Sequence, residues 1–142
     1  MSRPASIVNF ERFFWGSMIV GLISTAFSWA EMQATLERSG SAYSMTSVAV
    51  ALAVFLAIPV AFWYAIARRG NNIVRWIYVI WMGFGVVMTL LSLFDPQNLN
   101  GIALGFSLIS TALTAASIAC LFLADAVAWL TGKAPVDPGI FN

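Results

Sequence analysis

The chain has 142 residues, 61% hydrophobic and 9% charged, with a formal net charge of +1. A soluble domain carries roughly 25% charged residues, so these side chains cannot coat a water-exposed surface and lipid is the solvent that suits them. The near-neutral charge offers nucleic acid no attraction. With no histidine and a single cysteine, the sequence supplies neither an imidazole for haem, zinc or general-base chemistry nor a second thiol for an internal disulfide.

Residues 1–12 mix Ile7, Val8 and Phe10 with Arg3, Glu11 and Arg12, the pattern of a short helix lying in the membrane interface. Residues 13–30 form the first continuous apolar run and the first predicted span. The small residues Ser28 and Ala30 around Trp29 resemble a signal-peptidase site, but Glu11 and the long apolar stretch favour an uncleaved span. A loop over 31–42 follows, with Ser39-Gly40-Ser41 as its turn. The second predicted span covers 43–67 and contains Pro59, which removes one backbone hydrogen bond and kinks a helix. Gly70-Asn71-Asn72 marks a tight connection over 68–72, with Asn72 as N-cap of a third span at 73–94. Asp95-Pro96 and Asn100-Gly101 bound the next loop, with Asn100 capping a fourth span at 102–124 that extends as helix through Trp129 to Thr131. Residues 131–142 form a tail. Helices outrank barrel strands because the runs are continuous, not alternating. Short connections make successive helices antiparallel neighbours. The expected fold is therefore all-α: a single-domain, four-helix transmembrane bundle of up-down topology.

Orientation follows from charge. Arg3, Arg12, Arg68, Arg69, Arg75 and Lys133 fall on one side and only Arg38 on the other, which places both termini in the cytoplasm by the positive-inside rule. Trp15, Trp63, Tyr64, Trp76, Tyr78 and Trp129 are expected at that interface, and Trp29 and Tyr43 at the outer one. Trp81 lies deeper.

Helix association in lipid depends on close approach at small residues. The second span has alanine at every fourth position: Ala49, Ala53, Ala57, Ala61 and Ala65. The fourth has Gly101, Gly105, Ala103, Ser107, Thr111, Ala115 and Ala119. The first contributes Ser17, Gly21 and Thr25. These rows predict a tight core of the first, second and fourth helices, with the third more lipid-exposed. The rows serve intramolecular packing in the preferred reading and an oligomer interface in the alternative.

No charge lies near the middle of any predicted span. Asp125 comes nearest, and near a helix C-terminus a carboxylate needs a cationic partner. The expectation is an interfacial ion pair with Arg12, Arg68, Arg69 or Arg75; the alternative is a proton site. Arg68, Arg69 and Arg75 flank the start of the third helix, where they set topology and offer a contact for an anionic lipid headgroup. Cys120 reads as a small packing residue.

The stretch Arg69-Gly-Asn-Asn-Ile-Val-Arg75-Trp76, the segment from Leu121-Phe122 to Trp129, and the opening Arg3-Pro4-Ala5-Ser6-Ile7 with Phe10-Glu11 resemble features of small uncharacterised bacterial four-span proteins. The resemblance implies a bacterial inner membrane. It transfers no activity and no functional residue.

No nucleophile–base pair, metal set or phosphate-cradling loop is legible. The functional expectation is a non-enzymatic protein without cofactor. It is an accessory, assembly or stabilising subunit that contacts membrane lipids and other membrane chains, as a homo-oligomer or in a larger complex. The alternative is a small proton-coupled transporter or channel built on Asp125, the Pro59 kink and the hydroxyls Ser24, Thr25, Ser107, Ser110, Thr111 and Thr114.

Overall fold

A computed structural model describes residues 3–38, 44–93 and 101–132. The predicted turn residues Ser39, Gly40, Ser41, Asp95, Pro96 and Asn100 lie outside these, as do Tyr43, Phe94, Lys133 and the side chain of Ala103. The described residues form five helices: α1 (Ala5–Arg38), α2 (Met45–Ala67), α3 (Asn72–Ser92), α4 (Gly101–Cys120) and α5 (Ala124–Thr131). The fold is all-α. α1, α2 and α3 are each long and apolar enough to cross a membrane; α4 with α5 makes a fourth if the pair, bent by 64°, counts as one span.

α1 absorbs both the expected interfacial helix and the first part of the expected loop over 31–42. No glycine or proline interrupts residues 5–13, and Glu31 to Arg38 is built from good helix formers. Its 34 residues extend about 51 Å at 1.5 Å per residue, well beyond a hydrocarbon core of about 30 Å. The uncharged stretch 13–30 is about 27 Å long at 1.5 Å per residue, close to that thickness, and is flanked by Glu11 and Arg12 at one end and by Glu31, Glu37 and Arg38 at the other.

α2 runs unbroken through Pro59. It ends in a bond from the Gly70 amide to the Ile66 carbonyl, the αL closure of a helix C-terminus, with a second bond from the Asn71 amide to the Ala65 carbonyl. The closure needs a left-handed residue, and Gly70 supplies it with φ of 60°. Asn71 then caps α3, its side-chain oxygen accepting from the amides of Ile73 and Val74. The cap is thus Asn71, one residue before the expected Asn72, because the turn closes at Gly70.

The expected continuous fourth helix is broken at residues 121–123. Three tight turns finish α4, from Leu121, Phe122 and Leu123 amides to Ile118, Ala119 and Cys120 carbonyls. No glycine or proline lies in this segment, so the break is imposed by tertiary contacts. Its consequence is that Asp125 occupies the first turn of α5, where the helix dipole favours a carboxylate, and not a helix C-terminus.

α1 packs along α4 more extensively than any other pair does; α3 touches α4 and α2, α2 touches α1, and α5 touches α1. Gly21 permits the α1–α4 approach: a Cβ there would lie 3.2 Å from Ser110 Oγ. The core gathers at the arginine-rich end, from Ile7, Phe10 and Phe14 of α1, Ile66 of α2, Tyr78 of α3 and Leu121. α3 thereby contributes buried Arg75 and Tyr78, whereas Ala49, Ala53, Ala57 and Ala61 of α2 face outward. α2 in turn buries Pro59, Ile66 and Ala67, so the two helices are comparably exposed and the third is not singled out as the lipid-facing one. Tyr78 is also fully buried, at the arginine-rich end. The reason is shape: bulky aromatic side chains fill space between helices that alanine leaves open.

Candidate functional site

Two polar groupings stand out. One closes the arginine-rich end and the other lines a cavity beyond it.

At the first, Glu11 joins Arg3 at 2.6 Å and Arg68 at 3.5 Å. Arg68 also lies over the Trp63 ring, and Arg69 over that of Tyr64. Arg75 is turned inward and almost fully buried. Its guanidinium donates to the Leu121 carbonyl at 3.4 Å and lies against the rings of both Trp76 and Phe122. A cation against the terminal carbonyls of α4 opposes the negative end of that helix dipole, which ties α3 to the α4–α5 break. The three arginines proposed for an anionic headgroup therefore each have a separate partner within the chain.

Asp125 was expected to pair with an arginine. Among the described residues it forms no ion pair; its carboxylate instead accepts from the Ser6 amide at 3.2 Å. Ser6 lies in the first turn of α1, where amides have no partner within the helix, so Asp125 caps α1 from a distance of 119 residues. Ser6 precedes the apolar stretch that starts at Phe13, so this contact lies outside it. Hydrogen bonding by Ser6 holds the Asp125 carboxyl below its usual value, against an opposing effect of burial. Trp129 of α5 packs on Gly70, with its indole nitrogen 3.4 Å from where a Cβ would be. Cys120 is a free, buried cysteine beside Leu121 in the core.

The second grouping is a cavity of about 350 Å³ between α1, α3 and α4, closed on one side by Phe55 of α2. It brings together all six hydroxyls read from the sequence: Ser24, Thr25, Ser107, Ser110, Thr111 and Thr114. Thr89 of α3 joins them. Several donate their protons to backbone carbonyls: Thr25 to Gly21, Thr89 to Gly85, Thr111 to Ser107 and Thr114 to Ser110. Ser110 instead crosses to the Ser17 carbonyl of α1 at 2.8 Å. Below the cavity Tyr78 and Ser117 share a buried hydrogen bond of 2.9 Å. Neither Asp125 nor Pro59 lines this space.

Sequence reasoning missed the α3 wall: Trp81, Met82, Gly85, Val86 and Thr89. The signal was present, since Arg75, Tyr78, Met82, Gly85 and Thr89 recur at helical spacing along one face. Of the other proposed packing residues, Gly101 and Gly105 are exposed, and Ser107 and Thr111 are half-buried on the cavity side. Comparison of the chain with protein-family models, with curated proteins and with solved structures finds no match in any of the three.

Proposed function

We propose that the chain is a non-enzymatic protein of the bacterial inner membrane, a four-helix bundle with both termini cytoplasmic. It serves as an accessory, assembly or stabilising subunit by packing its helices within a homo-oligomer or a larger membrane complex. One observation carries the reading: Ala49, Ala53, Ala57 and Ala61 form a row on α2 that the rest of the described chain leaves uncovered. Rows of small residues let backbones approach closely, which is what drives helix association in lipid. The orientation rests on Arg3, Arg12, Arg68, Arg69 and Arg75, which cluster where α1 begins and α2 turns into α3.

The test uses a Cys120→Ala background carrying single cysteines on α2. In native membranes, Ala53→Cys and Ala57→Cys should cross-link to a neighbouring chain or resist a lipid-soluble maleimide. Ile80→Cys, on an exposed face of α3, should react freely. Equal, full reactivity at all three positions, without cross-links, would overturn the proposal.

The transporter reading drew on Asp125, Pro59 and the hydroxyls as parts of one path. Asp125 instead caps α1 at the arginine-rich end, and Pro59 is buried in α2 away from the cavity lining. The geometry therefore favours packing.

A further inference from the structure

The hydroxyl cavity has a chemistry that the packing role does not use. Thr25, Thr89, Thr111 and Thr114 each commit their proton to a carbonyl of their own helix, and Ser110 commits its proton to α1. A hydroxyl that has donated retains oxygen lone pairs. These five groups therefore meet an incoming molecule as acceptors. No charged side chain lines the space, and a bare ion there lacks a counter-charge to offset its desolvation. The favoured occupant is uncharged and donates hydrogen bonds.

A second cavity of about 370 Å³ lies beside the first, and the two share Thr25 and Phe55. Its remaining lining is Met32, Val48, Ala51 and Leu52, which offers no polar side chain. A hydroxyl-lined space thus abuts an apolar crevice between α1 and α2, with one threonine and one phenylalanine at the boundary. Both volumes fall within the range of about 300–1,000 Å³ typical of small-molecule sites.

We propose that the two cavities form one binding site for an uncharged lipid alcohol. Its hydroxyl headgroup donates to the Ser/Thr oxygens between α1, α3 and α4, and its single chain lies in the α1–α2 crevice. The five committed hydroxyls favour the alcohol over a carboxylate, which brings them only further acceptors, and over a plain alkane, which leaves those oxygens without donors.

The experiment is photolabelling of the full chain, reconstituted in phosphatidylcholine vesicles, with diazirine-bearing hexadecanol. Chain-matched hexadecanoic acid and hexadecane carrying the same diazirine serve as comparisons. The alcohol should label peptides holding Phe55 and Met82, and unlabelled hexadecanol should compete. Thr111→Val and Thr89→Val keep side-chain shape and remove only bonds within one helix. An alcohol has one proton to donate, so the two together should weaken labelling about fivefold, the equivalent of about 1 kcal/mol for one hydrogen bond. Gly85→Leu should abolish it by occupying the space, since a Cβ at Gly85 has no neighbour within 4 Å. Unchanged helical circular dichroism guards against misfolding as the cause. Equal labelling by the acid or the alkane would overturn the proposal. So would labelling spread over the exposed Ile80 and Phe84 face and indifferent to all three substitutions.

Discussion

The two halves of this molecule are built on opposite principles. At the arginine-rich end, Phe10, Phe14, Ile66, Tyr78 and Leu121 are fully buried, and rings meet edge-on, as Phe10 and Tyr78 do at 5.5 Å. Beyond it, the helices leave two open pockets, and Phe27, Val54 and Leu91 are each more than half exposed. The apolar content is similar in both halves. In lipid, burying apolar surface gives helices no reason to associate, so packing follows where shape and polar partners specify it. The first half has large rings, a glycine-closed turn and cross-helix polar ties through Glu11, Arg75, Tyr78 and Asp125. The second has alanine, glycine and hydroxyls that mostly bond within their own helices.

The largest test of this contrast compares two phenylalanines. Phe10→Ala empties a fully buried site and should cost about 3–5 kcal/mol of unfolding free energy. Phe84 is 67% exposed, and Phe84→Ala should fall within about 0.5 kcal/mol of the parent. Reversible denaturation in mixed micelles measures both. Comparable losses at the two positions would break the contrast.

A glycine pair comes next. Gly70→Ala forces a side chain into the left-handed region, at about 1–2 kcal/mol, and sets its Cβ 3.4 Å from the Trp129 indole nitrogen. Gly83→Ala, in α3 with nothing within 4 Å of its Cβ, should be neutral or stabilise by up to about 1 kcal/mol through helix propensity. Opposite signs at the two sites would sharpen the comparison; a loss at Gly83 would show the open half to be more closely packed than described.

How legible each half was depends on the range of the forces that shape it. The apolar runs, the Gly70 turn and the hydroxyl rows are local patterns, and the sequence displays them directly. The helix over 31–38 is equally local, yet the polar character of Glu31, Gln33 and Glu37 suggested a loop where propensity favours helix. The α4–α5 break was invisible because no residue near 121 disfavours helix; Arg75, 46 residues away, and the packing of Leu121 impose it. Asp125 was misread for the same reason. A carboxylate near four arginines suggested an ion pair, but once the helix breaks, its neighbour is the Ser6 amide. The outward turn of the α2 alanines was hidden because spacing marks a face without saying which way it points.

Asp125→Ala probes that hidden tie. Removing a cap from the α1 amides should cost about 0.5–2 kcal/mol. The folded chain holds the Asp125 carboxyl below its usual value, so this stabilisation is complete at neutral pH. It fades as pH falls below about 3.9, the ordinary aspartate value, and is lost once pH passes through the lower folded value. The parent and Asp125→Ala should therefore differ at pH 7 and converge under strong acid. A difference independent of pH would assign the loss to packing and not to the carboxylate.

The smallest expected effect lies in the cavity wall. Ser110 makes a polar tie between α1 and α4, to the Ser17 carbonyl, at a point where Gly21 already lets the two backbones approach. Side-chain hydrogen bonds between helices in membranes average about 0.6 kcal/mol, because the separated helices also find partners. The Ser17 carbonyl keeps its place in the α1 backbone ladder, so Ser110→Ala leaves no wholly orphaned acceptor. The loss should stay below about 1 kcal/mol, several times smaller than that of Phe10→Ala. A loss matching Phe10→Ala would mean that the cavity half depends on this one bond for its shape, and that the looseness assigned to it is confined to α2 and α3.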